Sequence, residues 1–100
     1  MDDMQRGDIV ESVNGRDQGK PLFVTDRDET YVVLVDGKSR SLENPKRKKQ
    51  KHCKFLARDS SRTAEKLKAG ERVNNSEIRR ALAAFVAGAA SQSDDETGGG

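Results

Sequence analysis

The sequence predicts a mainly β fold, five short strands bent into a small barrel and followed by two helices. Short runs of β-branched and aromatic residues recur through the first 56 positions, most clearly at 22–25 (LFVT) and 31–35 (YVVLV), a composition suited to a pleated, half-buried surface. Turn-forming residues punctuate them: Asn14, Gly15 and Gly19, then Asp36-Gly37, then Asn44-Pro45. Towards the C-terminus the apolar period changes, with Ile78, Leu82, Phe85, Val86 and Ala89 at helical spacing.

The elements follow in order. Residues 9–13 form the first strand, and the polar loop after them holds two glycines that can adopt positive φ and bring backbone close to a partner. Residues 22–25 form the second strand, the charged stretch 26–29 turns the chain, and 31–35 form a third strand suited to burial. Asp36-Gly37 matches a two-residue type I′ hairpin turn, which needs φ > 0 at both positions, and leads to a fourth strand at 38–42. Asn44-Pro45 breaks the sheet, and a last strand at 52–56 follows the basic run.

Ser60 or Ser61 caps a first helix running to about Ala69, with Ala64 and Leu67 facing inward and Gly70 at the helix end. Asn74 caps the second helix. Glu77 three residues on completes a capping box, and Val73 is placed to staple onto Ile78. The stripe from Ile78 to Ala89 docks on the first helix or the barrel, or else faces a partner. From Ser91 the chain reads SQSDDETGGG and is expected to be disordered. The expected organisation is a barrel at 4–56 that includes a basic segment at 44–54, a helical appendage at 57–90, and an acidic, Gly-ended tail at 91–100.

Composition narrows the function. Only 32% of the 100 residues are hydrophobic, 36% are charged and none is Trp, so the core is small and a deep catalytic pocket is not expected. The net charge of +2 conceals segregation. Residues 1–43 carry six Lys or Arg against ten Asp or Glu, whereas 44–54 carry six cations and no acid. Attraction to a polyanion depends on charge within a screening length, so the local cluster outweighs the total.

The single cysteine, Cys53, can form no internal disulfide, which points to a reducing cytoplasm. No apolar leader follows Met1, and no apolar run is long enough to span a bilayer, so no membrane partner is expected. Arg6-Gly7-Asp8 spells an adhesion tripeptide, but its Asp opens a strand and the match is coincidental. Neighbouring His52 and Cys53 would point to opposite faces of a strand and cannot act as base and nucleophile. One His and one Cys fall short of a zinc set. The chain is therefore expected to be no enzyme, with no cofactor and no small-molecule substrate. Its four aromatics, Phe23, Tyr31, Phe55 and Phe85, fit core patterns, which favours recognition of RNA by shape and backbone.

Gly7, Asp8 and Val10 opening a strand, the loop Gly15-Arg16-Asp17-Gln18-Gly19-Lys20, and Val24 in the next strand together resemble the KOW motif. A basic passage from Asn44-Pro45 to His52 follows, then Leu67-Lys68-Ala69-Gly70 and Asn75-Ser76-Glu77-Ile78-Arg79-Arg80-Ala81-Leu82. Over residues 4–88 that order resembles the short bacterial KOW-domain RNA-binding proteins related to eukaryotic and archaeal large-subunit ribosomal proteins. The resemblance implies an SH3-like barrel, non-catalytic RNA binding, ribosomal RNA as the RNA, and ribosomal proteins as neighbours in translation. Pro21 and Ser12 depart from the motif, where a small residue and an apolar one are usual. The RNA-binding candidates are Asn14, Gly15, Arg16, Gly19 and Lys20 in the loop, with Lys46, Arg47, Lys48, Lys49, Lys51, His52 and Lys54 in the basic segment. The alternative is a protein-protein interaction module, working through the barrel or the C-terminal helix in a transcription or translation complex.

Overall fold

Four antiparallel strands cross the sheet in sequence order and a fifth returns to pair with the first. The computed structural model describes residues 4–13 and 19–95, the last seven as backbone. The strands are β1 (Asp8–Ser12), β2 (Pro21–Arg27), β3 (Tyr31–Val35), β4 (Lys46–Lys49) and β5 (Cys53–Arg58), with one 3₁₀ turn, Gln50–His52, between the last two. Helices α1 (Arg62–Ala69) and α2 (Asn75–Asp95) follow. The spatial order is β4-β3-β2-β1-β5. The sheet is open, with β4 and β5 as its edges, where the sequence predicted closure. Register shifts between Ile9 and Val10 and between Val24 and Asp26 bend it.

Two predicted features fail together. Residues 38–42 form no strand, and Asp36-Gly37 is no type I′ turn, because Gly37 alone has positive φ (79°) and no described non-glycine residue does. Instead the Asp36 carboxylate accepts from the backbone N–H groups of Lys38 and Arg40, both at 2.8 Å. Asp36 N–H donates to Arg40 O at 2.8 Å, closing a side-chain-stapled loop. The fourth strand is the basic run itself. Its backbone completes the open edge of β3, with Leu34 opposite Lys46 and Val32 opposite Lys48. The weak strand propensity of Lys is overridden by that pairing, and lysine suits an edge because it resists pairing with a further chain.

Both faces of the sheet are buried. Successive residues enter different clusters, as the period of two requires. Val10, Leu22, Val24, Val32 and Leu34 fill one side with Met4, while Ile9, Phe23 and Val35 face α1 and α2 through Ala64, Leu67, Ile78 and Leu82. Ser12, noted above as a departure from an apolar position, is buried nonetheless. Asp8 is fully buried. Its carboxylate accepts from Gln5 N–H at 2.8 Å and pairs with Arg58 at 3.3 Å, so the Arg6-Gly7-Asp8 sequence is a structural turn.

The helices form as the caps dictate. Ser61 Oγ accepts from Ala64 N–H at 3.1 Å, and Gly70 ends α1 in the left-handed region. At α2, Asn74 Oδ1 accepts from Glu77 N–H at 2.8 Å while Glu77 Oε1 accepts from Asn74 N–H at 2.9 Å, a reciprocal capping box. Lys66 of α1 pairs with Glu77 at 2.7 Å and ties the helices together. That lysine, then the Asn74 N–H, holds Glu77 below the ordinary glutamate pKa. The loop after β3 docks on α2: Leu42 N–H donates to Asn75 Oδ1 at 2.8 Å and Arg79 Nη1 donates to Gly37 O at 2.6 Å. A Cβ on Gly37 would lie 2.5 Å from Asn75 O, so only glycine permits this approach. The apolar stripe is mostly spent on docking, with Ile78 and Leu82 buried and Val86 exposed. The backbone of α2 runs on to Asp95, past the expected boundary at residue 90, and residues 96–100 lie outside those described.

Candidate nucleic-acid interface

The basic segment is an edge strand, a turn and the start of another edge strand, and this geometry sorts its cations. Along β4, side chains alternate between faces. Lys46 and Lys48 stand opposite Leu34 and Val32 of the core and are half-buried. Arg47 and Lys49 point the other way and are exposed. Lys51 in the 3₁₀ turn and Lys54 on β5 are exposed as well. Lys54 is opposite Glu11, and His52 is half-buried.

Arg47 is the most constrained cation of the group. Its guanidinium lies over the Tyr31 ring, 3.8 Å from the centroid, and its Nη2 is 3.8 Å from Asp28 Oδ2. Asp28 is itself fixed, its other oxygen accepting from Tyr31 N–H at 2.7 Å and Thr30 N–H at 2.8 Å. Those backbone donors, Tyr31 first, with Arg47 adding a smaller effect, lower the Asp28 pKa. Lys49, Lys51 and Lys54 make no ion pair to any described residue.

The 3₁₀ turn ties two loops to this surface. Gln50 N–H donates to Thr30 O at 2.8 Å, and its side-chain amide donates to Asp28 O at 2.8 Å, at the β2–β3 turn. At the other end of the turn, Val13 N–H donates to His52 O at 3.1 Å, at the base of the loop between β1 and β2. The basic segment therefore runs from one loop to the root of the other. Asn14, Gly15 and Arg16 lie outside the described residues. Gly19 is exposed with φ 82°. Lys20 is exposed but lines a different cleft, with Pro21, Lys38, Arg79, Leu82 and Val86 on the α2 side. The loop and the basic segment thus meet at Val13 and His52.

Sequence reasoning missed Asp28 and Gln50 as supports of this surface, and it assigned Tyr31 to a core pattern. Their roles follow from the register of 46–49 on 31–34, which no local sequence signal carries. Cys53 is half-buried, its thiol donates to Lys49 O at 3.5 Å, and burial raises its pKa. Among the described residues no group of three or more His, Cys, Asp or Glu is placed to hold a metal, and no helix is long and apolar enough to cross a membrane. A separate cleft of about 540 Å³ is lined by Arg6, Asp8, Asp26, Arg27, Arg58 and Lys68. Its charges are largely matched internally, Arg6 with Asp26 at 3.5 Å and Arg58 with Asp8 at 3.3 Å.

No protein-family model and no curated protein matches this chain.

Proposed function

We propose that this protein is a non-catalytic RNA-binding protein that grips the sugar-phosphate backbone with the cations of β4, the 3₁₀ turn and the start of β5. The observation that carries the reading is the exposure of Arg47, Lys49, Lys51 and Lys54 along one continuous segment, with Asp28 the one carboxylate ion-paired to them among the described residues. Four such cations neutralise phosphates and release counterions, a gain that needs no base-specific contact. Val13, where the chain leaves β1, is hydrogen-bonded to the same segment at His52, and the resemblance to the KOW motif adds Asn14, Gly15, Arg16, Gly19 and Lys20 as further RNA contacts.

The finer family assignment rests on the resemblance to the KOW motif. It is supported by the topology: a four-strand meander, a single 3₁₀ turn, and a fifth strand returning beside β1 is the connectivity expected of an SH3-like barrel. In that reading the RNA is ribosomal, and the protein works in or beside the ribosome in the bacterial cytoplasm, with ribosomal proteins as neighbours. The alternative protein-interaction module draws less support, because Ile78 and Leu82 of its candidate stripe are already buried against the sheet.

The test is a native-gel titration of fragmented ribosomal RNA with the full chain and with a variant carrying Gln at 47, 49, 51 and 54. Loss of the shifted species in the variant is expected. Equal affinity of the two proteins would refute the proposal.

A further inference from the structure

We infer that Arg47 stacked on Tyr31 is a platform for an unstacked nucleobase, so that the RNA taken by this protein is single-stranded or locally opened. The inference deepens the proposed RNA binding and rests on it.

Three observations converge. The helices pack on one face of the sheet around Ile9, Phe23 and Val35, with Leu56 of β5 against the same cluster. The same face continues past them onto β3 and β4 as half-buried Tyr31 and Val33 and exposed Arg47 and Lys49. At that end of the face, the Arg47 guanidinium carbon lies over the Tyr31 ring, 3.8 Å from the centroid, while the side chain remains 62% exposed. The guanidinium thus sits over Tyr31 while most of the Arg47 side chain stays open to solvent. The platform is also held in place before any ligand arrives: Asp28 pairs with Arg47 and accepts from the Tyr31 N–H, and Gln50 fastens the turn carrying Asp28. Pre-ordering lowers the entropic cost of stacking a base.

Lys49 completes the arrangement. It is directly across from Tyr31 in the register and two residues from Arg47, about 7 Å along the strand. A base on Arg47 therefore leaves its own or the neighbouring phosphate within reach of Lys49. Guanidinium planes and aromatic rings accept any base by its π-face, and only bases splayed out of a helix can reach them. An A-form duplex would meet the lysines but not the platform.

The experiment uses the full chain and a heteropolymeric RNA oligonucleotide carrying 2-aminopurine, alone and annealed to its complement. The variants are Arg47→Lys, which keeps the charge and loses the plane, and Lys49→Gln, which does the reverse. Both positions are exposed, so folding is not at stake. The expected result is 2-aminopurine emission that changes on binding the wild type, a preference for the single strand, and an affinity about tenfold lower for Arg47→Lys on the single strand only. Lys49→Gln should weaken both forms alike. If Arg47→Lys binds as the wild type does and duplex binds as well as single strand, the platform is overturned while RNA binding stands. If neither RNA form binds, the RNA reading fails and the platform fails with it.

Discussion

Replacing Arg47, Lys49, Lys51 and Lys54 together by Gln removes the four exposed cations of the basic segment while leaving the core beneath Lys46 and Lys48 intact. Each phosphate neutralised on single-stranded RNA contributes about 0.7 to the slope of log affinity against log salt, so four give roughly -2.8. Raising salt from 50 to 200 mM should then weaken wild-type binding by about 50-fold. Lys49→Gln alone should reduce the slope to roughly -2.1 and the loss to about 20-fold. The quadruple variant should bind weakly and with little salt dependence. Fluorescence anisotropy of a labelled RNA oligonucleotide across a salt series reads these slopes directly, and thermal unfolding checks that stability stays within about 0.5 kcal/mol, as for ordinary surface changes. A quadruple variant with the wild-type slope would refute the placement of phosphates on this segment.

Other outcomes follow from the fold. Gly37 and Gly19 both have positive φ, but a Cβ at Gly37 lies 2.5 Å from Asn75 O whereas one at Gly19 meets nothing within 4 Å. Gly19→Ala should cost about 1–2 kcal/mol for the backbone conformation alone, and Gly37→Ala distinctly more; equal losses in chemical denaturation would show that the docked loop contributes nothing. Asn74→Ala should cost about 1 kcal/mol through the lost cap, measurable by the same method, and no change would contradict the reciprocal hydrogen bonds. Glu77 has a folded-state pKa below its unfolded one, so its stabilising contribution is full above the unfolded value and is lost as pH falls through the folded value. Glu77→Gln should therefore reduce the fall in melting temperature on acidification, and an unchanged pH profile would contradict the Lys66 contact.

Much of the fold was legible because local signals and tertiary packing agree there. The caps of α1 and α2 satisfy backbone donors within a few residues, so Ser61, Gly70, Asn74 and Glu77 could be read without knowing what the helices pack against. The runs 9–13, 22–25 and 31–35 carry their own burial pattern. The fourth strand was not legible, since four consecutive basic residues have neither alternation nor strand propensity. Only the edge of β3 makes them a strand, while the Asp36 carboxylate takes the amides that a hairpin would have used. Closure would need the edge strands β4 and β5 to pair with each other, a long-range contact that composition does not encode. In the candidate interface, the charge of 46–54 was plain from sequence. Its division into half-buried Lys46 and Lys48 and exposed Arg47 and Lys49, and the Asp28–Arg47–Tyr31 arrangement, follow from a register that no local rule supplies.

Ultraviolet crosslinking in the native cell, followed by sequencing of the attached RNA and mass mapping of the crosslinked peptides, tests the central claim most directly. RNA binding by the basic segment predicts a sharp ribosomal RNA peak and crosslinked peptides within residues 46–54. RNA recovery at background would contradict it.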